Sequence, residues 1–414
     1  MRKLQLSAAL SAALEDNELF PVVTDETTSE VEETLIELDE SYDEARDAVE
    51  VVEELEDRGE QVEELVEAVE SYIAQGGMSP EGATLYYMQL NRLGKGLEAL
   101  HHGDMNVSTE SYAARDRMSA SLEAAEKGKN FAAKIWDAIV AMAKAAKDAI
   151  VNFFGRLLNS NATLKKKAEE LKQRALKLRG VVGKDEKISG GTWARNLADR
   201  SGKIDPNGTA TILKDLANAL GEVSKSISNS SGNVSGTSLT DFTNALSRAG
   251  DNLPGSYSLE VTDEGNFSIT RKEVASPGEI DRMNNKQVVT TCDSIVALVK
   301  ICDTFGKTVK DAMSKAEATV TKQAKTAGNA TVAGSKTEEE HDVNKMNRGK
   351  LQEDAAGFRK FIATSRRAAL EFPRIATDAA RSALVYCNKS LSDVSQTDKE
   401  AQAAVKAELK AKRG

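Results

Sequence analysis

Between residues 30 and 73, apolar side chains recur at alternating steps of three and four: Leu35, Leu38, Tyr42, Ala45, Val49 and Val52. That alternation is a heptad seam, the pattern that keeps one narrow apolar stripe facing a partner along a long helix. Gly59 interrupts it, and Val62, Leu65 or Val66, Val69 and Ile73 resume it in a shifted phase. The remaining faces are almost wholly Glu and Asp. Like charges four residues apart repel, so this helix is marginal alone and needs a basic or neutral surface to lie on. The seam at 35–52 offers itself to a second copy or to another protein, and an ordinary bundle helix with a solvated acidic face fits the same residues.

Charge is sorted along the whole chain. From Asp25 to Glu70 there are 21 acidic residues against only Arg46 and Arg58, whereas from Lys127 to Gly180 there are 13 basic residues against four acidic ones. The net charge of −10 therefore conceals a dipolar molecule. Residues 1–70 carry a net −20, so the remainder alone stands at about +10. Apolar residues make up 40% and aromatics only 5% of the 414, with Ala, Glu and Lys abundant, which favours helix over an aromatic-rich β fold. Cys292, Cys302 and Cys387 are too few and odd in number for a disulfide framework, and they read as reduced, buried thiols. The run from Met1 to Leu14 outlines a signal peptide, yet Gln5, Ser7 and Ser11 interrupt it and no convincing cleavage site follows. No 18-residue uncharged apolar stretch exists.

The pattern predicts a mainly α, elongated multi-helix bundle of long amphipathic helices with one small β-hairpin packed on them. Three segments are expected: an acidic helical segment at 1–75, a helical region with a hydrophobic and basic helix at 76–180, and a helical domain at 181–414. Gln75-Gly76-Gly77 breaks the first helix, and Ser79-Pro80-Glu81 starts the next. Residues 81–100 and 108–126 read as shorter amphipathic helices. Residues 129–158 are the most apolar, with Lys134, Asp137, Lys144, Lys147, Asp148, Asn152 and Arg156 on one stripe. A basic helix through Lys165-Lys166-Lys167 to Arg179 follows. Residues 180–191 read as a linker, 192–250 as two or three short helices, and 226–238 as a flexible loop. Alternation at Tyr257, Leu259 and Val261, then at Phe267 and Ile269, predicts a hairpin near 256–271. Ser276-Pro277-Gly278-Glu279 is expected to open a helix to about 325, followed by a loop at 326–340 and a last helix at 341–394 that Pro373 kinks or divides.

Catalytic signals are missing from the sequence. It holds no phosphate-binding Gly-x-x-x-x-Gly-Lys loop, dinucleotide fingerprint, His-Glu-x-x-His pair or Gly-x-Ser-x-Gly elbow. Cys292 and Cys302 lie ten apart on one helix, roughly 15 Å by the rise per residue, too far to share a metal. His101 and His102 are adjacent in a loop and His341 stands apart, so no triad or zinc site is expected. No catalytic, cofactor or metal residue is assigned and no enzyme activity is expected. Candidate contacts to a polyanion or a membrane surface are Lys134, Trp136, Lys144, Lys147, Arg156, Lys165, Lys166, Lys167, Arg366 and Arg367.

An acidic helical segment ahead of a basic helical body, with Glu-terminated tripeptides within and beyond it, resembles the internal core or scaffold-associated head proteins of large tailed bacteriophages. The resemblance covers residues 1–180. In that group an acidic N-terminal propeptide is clipped after Glu, with a small or aliphatic residue two positions earlier. Leu38-Asp39-Glu40, Ala68-Val69-Glu70, Ser121-Leu122-Glu123 and Ala124-Ala125-Glu126 match, which marks Glu40, Glu70, Glu123 and Glu126 as candidate processing sites. The resemblance implies a protein made in the host cytoplasm and retained in the phage head beside other head proteins. It is then trimmed at or near Glu70 or Glu126 and lies against packaged DNA through non-specific phosphate contacts. Rival readings are a membrane-active protein working through 129–158 and a coiled-coil adaptor or homo-oligomer working through 35–52.

Overall fold

The computed structural model describes residues 26–95, 117–177, 186–199, 201–230, 237–262, 266–271, 278–329 and 338–392, with the backbone alone for 26–35 and most of the helical residues between 316 and 356. The first helix, α1 (Glu26–Ala74), stops where the glycines stand. Gly76 and Gly77 take φ of 97° and 94°, and the Gly77 N–H closes onto the Tyr72 carbonyl at 2.8 Å. Left-handed backbone of this kind favours glycine and satisfies the helix's last carbonyls. Ser79 then caps α2 (Pro80–Gly94) by accepting the Gly82 N–H at 3.1 Å, with proline in the first turn as expected.

A single 61-residue helix, α3 (Arg117–Lys177), follows. It merges three stretches that periodicity separates, because Gly128 and Gly155 sit inside it without ending it. After β1 (Lys187–Ser189) and a 3-10 turn (Thr192–Leu197) come α4 (Gly208–Ser230) and α5 (Thr237–Asp251). The hairpin forms as predicted: β2 (Tyr257–Val261) pairs antiparallel with β3 (Phe267–Arg271), Leu259 opposite Ile269. Its apolar face packs on the helices, with Phe267 buried 6.5 Å from the Phe372 ring. β4 (Glu279–Asp281), α6 (Asn285–Asn329) and α7 (Glu338–Ser392) complete the described chain, which is mainly α.

Four expectations need correction. Residues 279–281 are a strand paired with β1 through Ile188 and Ile280, not the first turn of a helix. The helix starts later because Asn284 and Gln287 form a reciprocal cap: the Gln287 N–H reaches Asn284 Oδ1 at 2.9 Å and the Asn284 N–H reaches Gln287 Oε1 at 2.7 Å. The same pairing puts β1 inside the expected linker at 180–191. The loops expected at 226–238 and 326–340 are narrower, since α4 continues to Ser230 and α5 begins at Thr237, while α6 reaches Asn329 and α7 begins at Glu338. Pro373 does not divide the last helix: α7 runs through it without a break, where the lost N–H is tolerated among buried neighbours.

Packing crosses the boundaries expected near 75 and 180. One core gathers the first half of α1, the second half of α3, α4 to α7 and the hairpin. A smaller one gathers Leu55, Val62, Val66 and Val69 of α1, Tyr86, Tyr87 and Leu90 of α2, and Phe131, Ile135 and Ile139 of α3. Helices α1 and α3 serve both. They run antiparallel, because Glu70 pairs with Lys129, Glu63 accepts from Trp136 Nε1, and Glu37 pairs with Arg156.

Three helix contacts depend on glycine. A Cβ on Gly128 would stand 1.8 Å from the Tyr86 hydroxyl, one on Gly306 2.6 Å from the Phe154 ring, and one on Gly59 3.1 Å from Ile139 Cδ1. Gly59 thus marks a close approach of α1 to α3 rather than an end of the seam's helix.

A polar clasp joins α1 to α7 at the other end of the contact. The Tyr42 hydroxyl donates to Glu371 at 2.6 Å, and the Arg374 guanidinium lies 4.0 Å from the Tyr42 ring centre. Burial, then the hydrogen bond to the Glu371 carboxylate, pushes the Tyr42 hydroxyl from 10.0 up to about 12. Burial does the same for Tyr257.

Two outcomes follow for stability. Gly306→Ala should lower it by about 1–3 kcal/mol through overpacking, whereas Gly155→Ala, where nothing lies within 4 Å, should raise it by roughly 0.5–1 kcal/mol through helix propensity; urea denaturation reads both. The folded state holds the Tyr42 and Tyr257 protons more tightly than the unfolded chain does. Their contribution is complete below pH 10 and is lost as pH rises towards about 12. A denaturation midpoint that falls over that interval in the native chain, and falls less in Tyr42→Phe, is the expected result.

Candidate polyanion-binding face

Most of the apolar groups that made 129–158 a candidate for membrane contact face inward, although Val140 and Leu158 stay exposed. Phe131, Ile135, Ile139, Ile150, Phe153, Phe154 and Leu157 are all buried. Among the described residues no helix is long and apolar enough to cross a membrane. The seam residues Leu38, Tyr42, Ala45, Val49 and Val52 are likewise buried within the chain, so they leave no open stripe for a second copy. Its companion Leu35 belongs to the turns described by backbone alone.

The candidate cations divide by surroundings. Arg366, whose side chain is 9% exposed, pairs with Glu56 at 3.3 Å, and Arg367 pairs with Glu53 while donating to the Phe267 carbonyl at 3.2 Å. Both belong to the α1–α7 contact, which encloses Arg366 and engages Arg367 while leaving its side chain 39% exposed. Trp136 is half-buried and donates to Glu63 at 2.9 Å, Arg156 is held by Glu37, and Lys167 leans on Glu170 at 3.6 Å. Lys134 is exposed and Lys147 half-buried. Lys144, Lys165 and Lys166 are exposed along α3.

Helix α6 adds to this face. It packs antiparallel on the second half of α3, pinned by Asn161 Nδ2 to Asp303 at 2.8 Å and by Lys172 to Asp293 at 2.5 Å. The hydrogen bond to Asp293 raises the Lys172 ammonium above its ordinary range, so it stays charged. That register sets Lys165 level with Lys300. Lys300 and Lys307, two turns apart, and Lys310 are exposed on the outer side of α6. Lys144, Lys165 and Lys166 of α3 and Lys300, Lys307 and Lys310 of α6 are thus exposed on two helices packed side by side, with exposed Asp148, Glu169, Asp293 and Asp311 among them. Sequence reading missed the α6 lysines, because periodicity gives each helix its outer face but not its neighbour. Such a face suits the repeating negative charge of a polyphosphate backbone and carries no base-reading geometry.

The candidate processing sites all lie within helices. Glu70 is half-buried and paired with Lys129 at 2.9 Å, Glu123 is paired with Lys127 at 3.0 Å, and Glu126 is exposed in the third turn of α3. Glu40 is exposed in the fifth turn of α1. Among the described residues no group of three His, Cys, Asp or Glu side chains could hold a metal ion, and His101 and His102 lie outside them.

Comparison with known proteins supplies the context for this face. No curated protein and no solved structure matches the chain. The model of one family, the phiKZ-like phage internal head proteins, matches residues 26–238, from the first turn of α1 to the start of α5, just over half of the chain. The chain belongs to that family of structural proteins and is an internal head protein of a large phage.

Proposed function

We propose that this chain is a non-enzymatic structural protein of the head interior. Removal of the residues up to Glu40 lets it lie against packaged DNA through the lysines of α3 and α6. The observation that supports this reading is the course of α1. Glu37 meets Arg156, and α1 runs antiparallel to α3, so the turns before Glu37 continue towards Lys165, Lys166 and Lys167. Residues 1–40 hold 11 acidic side chains against Arg2 and Lys3 alone. Their loss takes the net charge from −10 to −1 and frees Arg156 from Glu37, adding it to the basic face.

Energetics select Glu40 over the other three sites. Cleavage after Glu70 would release Tyr42, Val49, Val52, Leu55, Val62 and Val69, all buried. At about 1.5–3 kcal/mol per buried side chain, that loss alone reaches the whole stability of a typical domain, about 5–15 kcal/mol. It would also strand the buried Arg366 without Glu56, at a further cost of about 3–5 kcal/mol. Cleavage after Glu123 or Glu126 would remove all of these residues and the buried Tyr86, Tyr87 and Leu90 of α2 as well. Upstream of Glu40, Leu38 is the one described side chain in the core. Terminal turns open at low cost, and a protease needs such an opening to bind its substrate extended.

DNA binding tests the reading. The chain cleaved after Glu40 should bind double-stranded DNA without sequence preference. Its affinity should fall with salt at a logarithmic slope of about −0.9 per phosphate engaged. Replacing Lys165, Lys166, Lys300 and Lys307 by Gln should reduce that slope by about three to four, and the intact chain should bind more weakly than the cleaved one. Equal, salt-independent binding by all three proteins would refute the assignment.

A further inference from the structure

Helix α2 has two unlike sides. Ala83, Tyr86, Tyr87 and Leu90 are buried in the smaller core with α1 and α3. At 3.6 residues per turn, the side opposite them carries Glu81, Leu85, Met88 and Arg92, all exposed. Leu85 is 62% and Met88 59% exposed. A single exposed apolar residue is ordinary, but this stripe is patterned. Its steps of four, three and four are those by which one helix packs along another.

The stripe also complements itself. A two-fold axis perpendicular to α2, midway between Leu85 and Met88, sets a second α2 antiparallel to the first. Leu85 of each copy then meets Met88 of the other, the exposed Thr84 meets Gln89, and Glu81 meets Arg92 at both ends. Glu81 and Arg92 are the only charges of α2, one in its first turn and one in its last. The ten residues between them carry none, in a chain of which 29% is charged. A parallel pairing would instead set Glu81 on Glu81 and Arg92 on Arg92.

We propose that α2 is the surface through which two copies of this chain pair, as an isologous antiparallel dimer. A second copy is the occupant because the stripe matches its own reverse in charge as well as in apolar position. The outer face of α1 offers no such match: Asp43, Glu44, Asp47 and Glu50 are exposed there around Arg46, and a second copy would bring acid against acid. One 15-residue helix from each partner is about 22 Å long and supplies less than the ~800 Å² per partner of a standard stable interface. The dimer is therefore weak, with a Kd on the order of 0.1 mM, and forms where the protein is concentrated. Neither the lysines of α3 and α6 nor the residues up to Glu40 take part, so the pairing is independent of DNA binding.

Sedimentation equilibrium of the full chain, from micromolar concentrations to about 1 mM, tests the pairing. The expected result is a reversible monomer–dimer equilibrium. Leu85→Lys combined with Met88→Lys, both at exposed helical positions, should keep the native melting temperature and remain monomeric throughout. Arg92→Glu should weaken the pairing roughly threefold to tenfold by setting acid on acid at both ends. Adding Glu81→Arg to it should restore the native affinity, with the melting temperature of each variant measured alongside. A native chain that stays monomeric over the whole range would overturn the proposal, as would a dimer that survives the double lysine replacement or is indifferent to Arg92→Glu.

Discussion

The contact between α1 and its neighbours carries the structure. A helix with Glu and Asp on most of its outer faces repels itself, and it is stable here because a single apolar seam is fully buried while cations meet its acids. The seam supplies Tyr42, Ala45, Val49, Val52 and Leu55 to the interior. Arg366 and Arg367 of α7 take Glu56 and Glu53, Lys129 of α3 takes Glu70, and the Tyr42 hydroxyl reaches Glu371. Most of these pairs are half-buried, where screening by salt is weakest. The acidic helix is thus a structural member of the core, and its charge is spent partly inside the molecule.

That arrangement changes what charge sorting means. Considered along the chain, an acidic segment ahead of a basic one suggests a removable mask. In three dimensions the mask is divided. The part from Tyr42 onward is built in, whereas just before it Glu37 meets Arg156 of α3 at the surface. Membership of a phage internal head family fits a chain built mainly of long, highly charged helices.

Local signals in the sequence were legible where one residue decides the structure. Gly76 and Gly77 end α1, Ser79 and Pro80 begin α2, and the alternation at 257–269 makes the hairpin. Periodicity also identified the buried stripe of α6, including Val288, Ile295, Leu298 and Phe305. Pairings between distant segments were not legible. A heptad seam reads the same whether its partner is another chain or α3 of its own. Ile188 and Ile280 form a two-strand sheet too short to leave an alternation. Arg366 and Arg367 look like free cations until Glu53 and Glu56 stand opposite them, and Lys300 and Lys307 look like ordinary solvated residues until α3 lies alongside.

The N-terminal residue of the protein recovered from purified particles tests the central claim most directly. If α1 is a core helix from Tyr42 onward, the mature chain begins at Ser41 and keeps peptides from 45–70 at the same abundance as those from 285–315. A mature chain beginning at Ser71, folded and without the seam, would contradict the account.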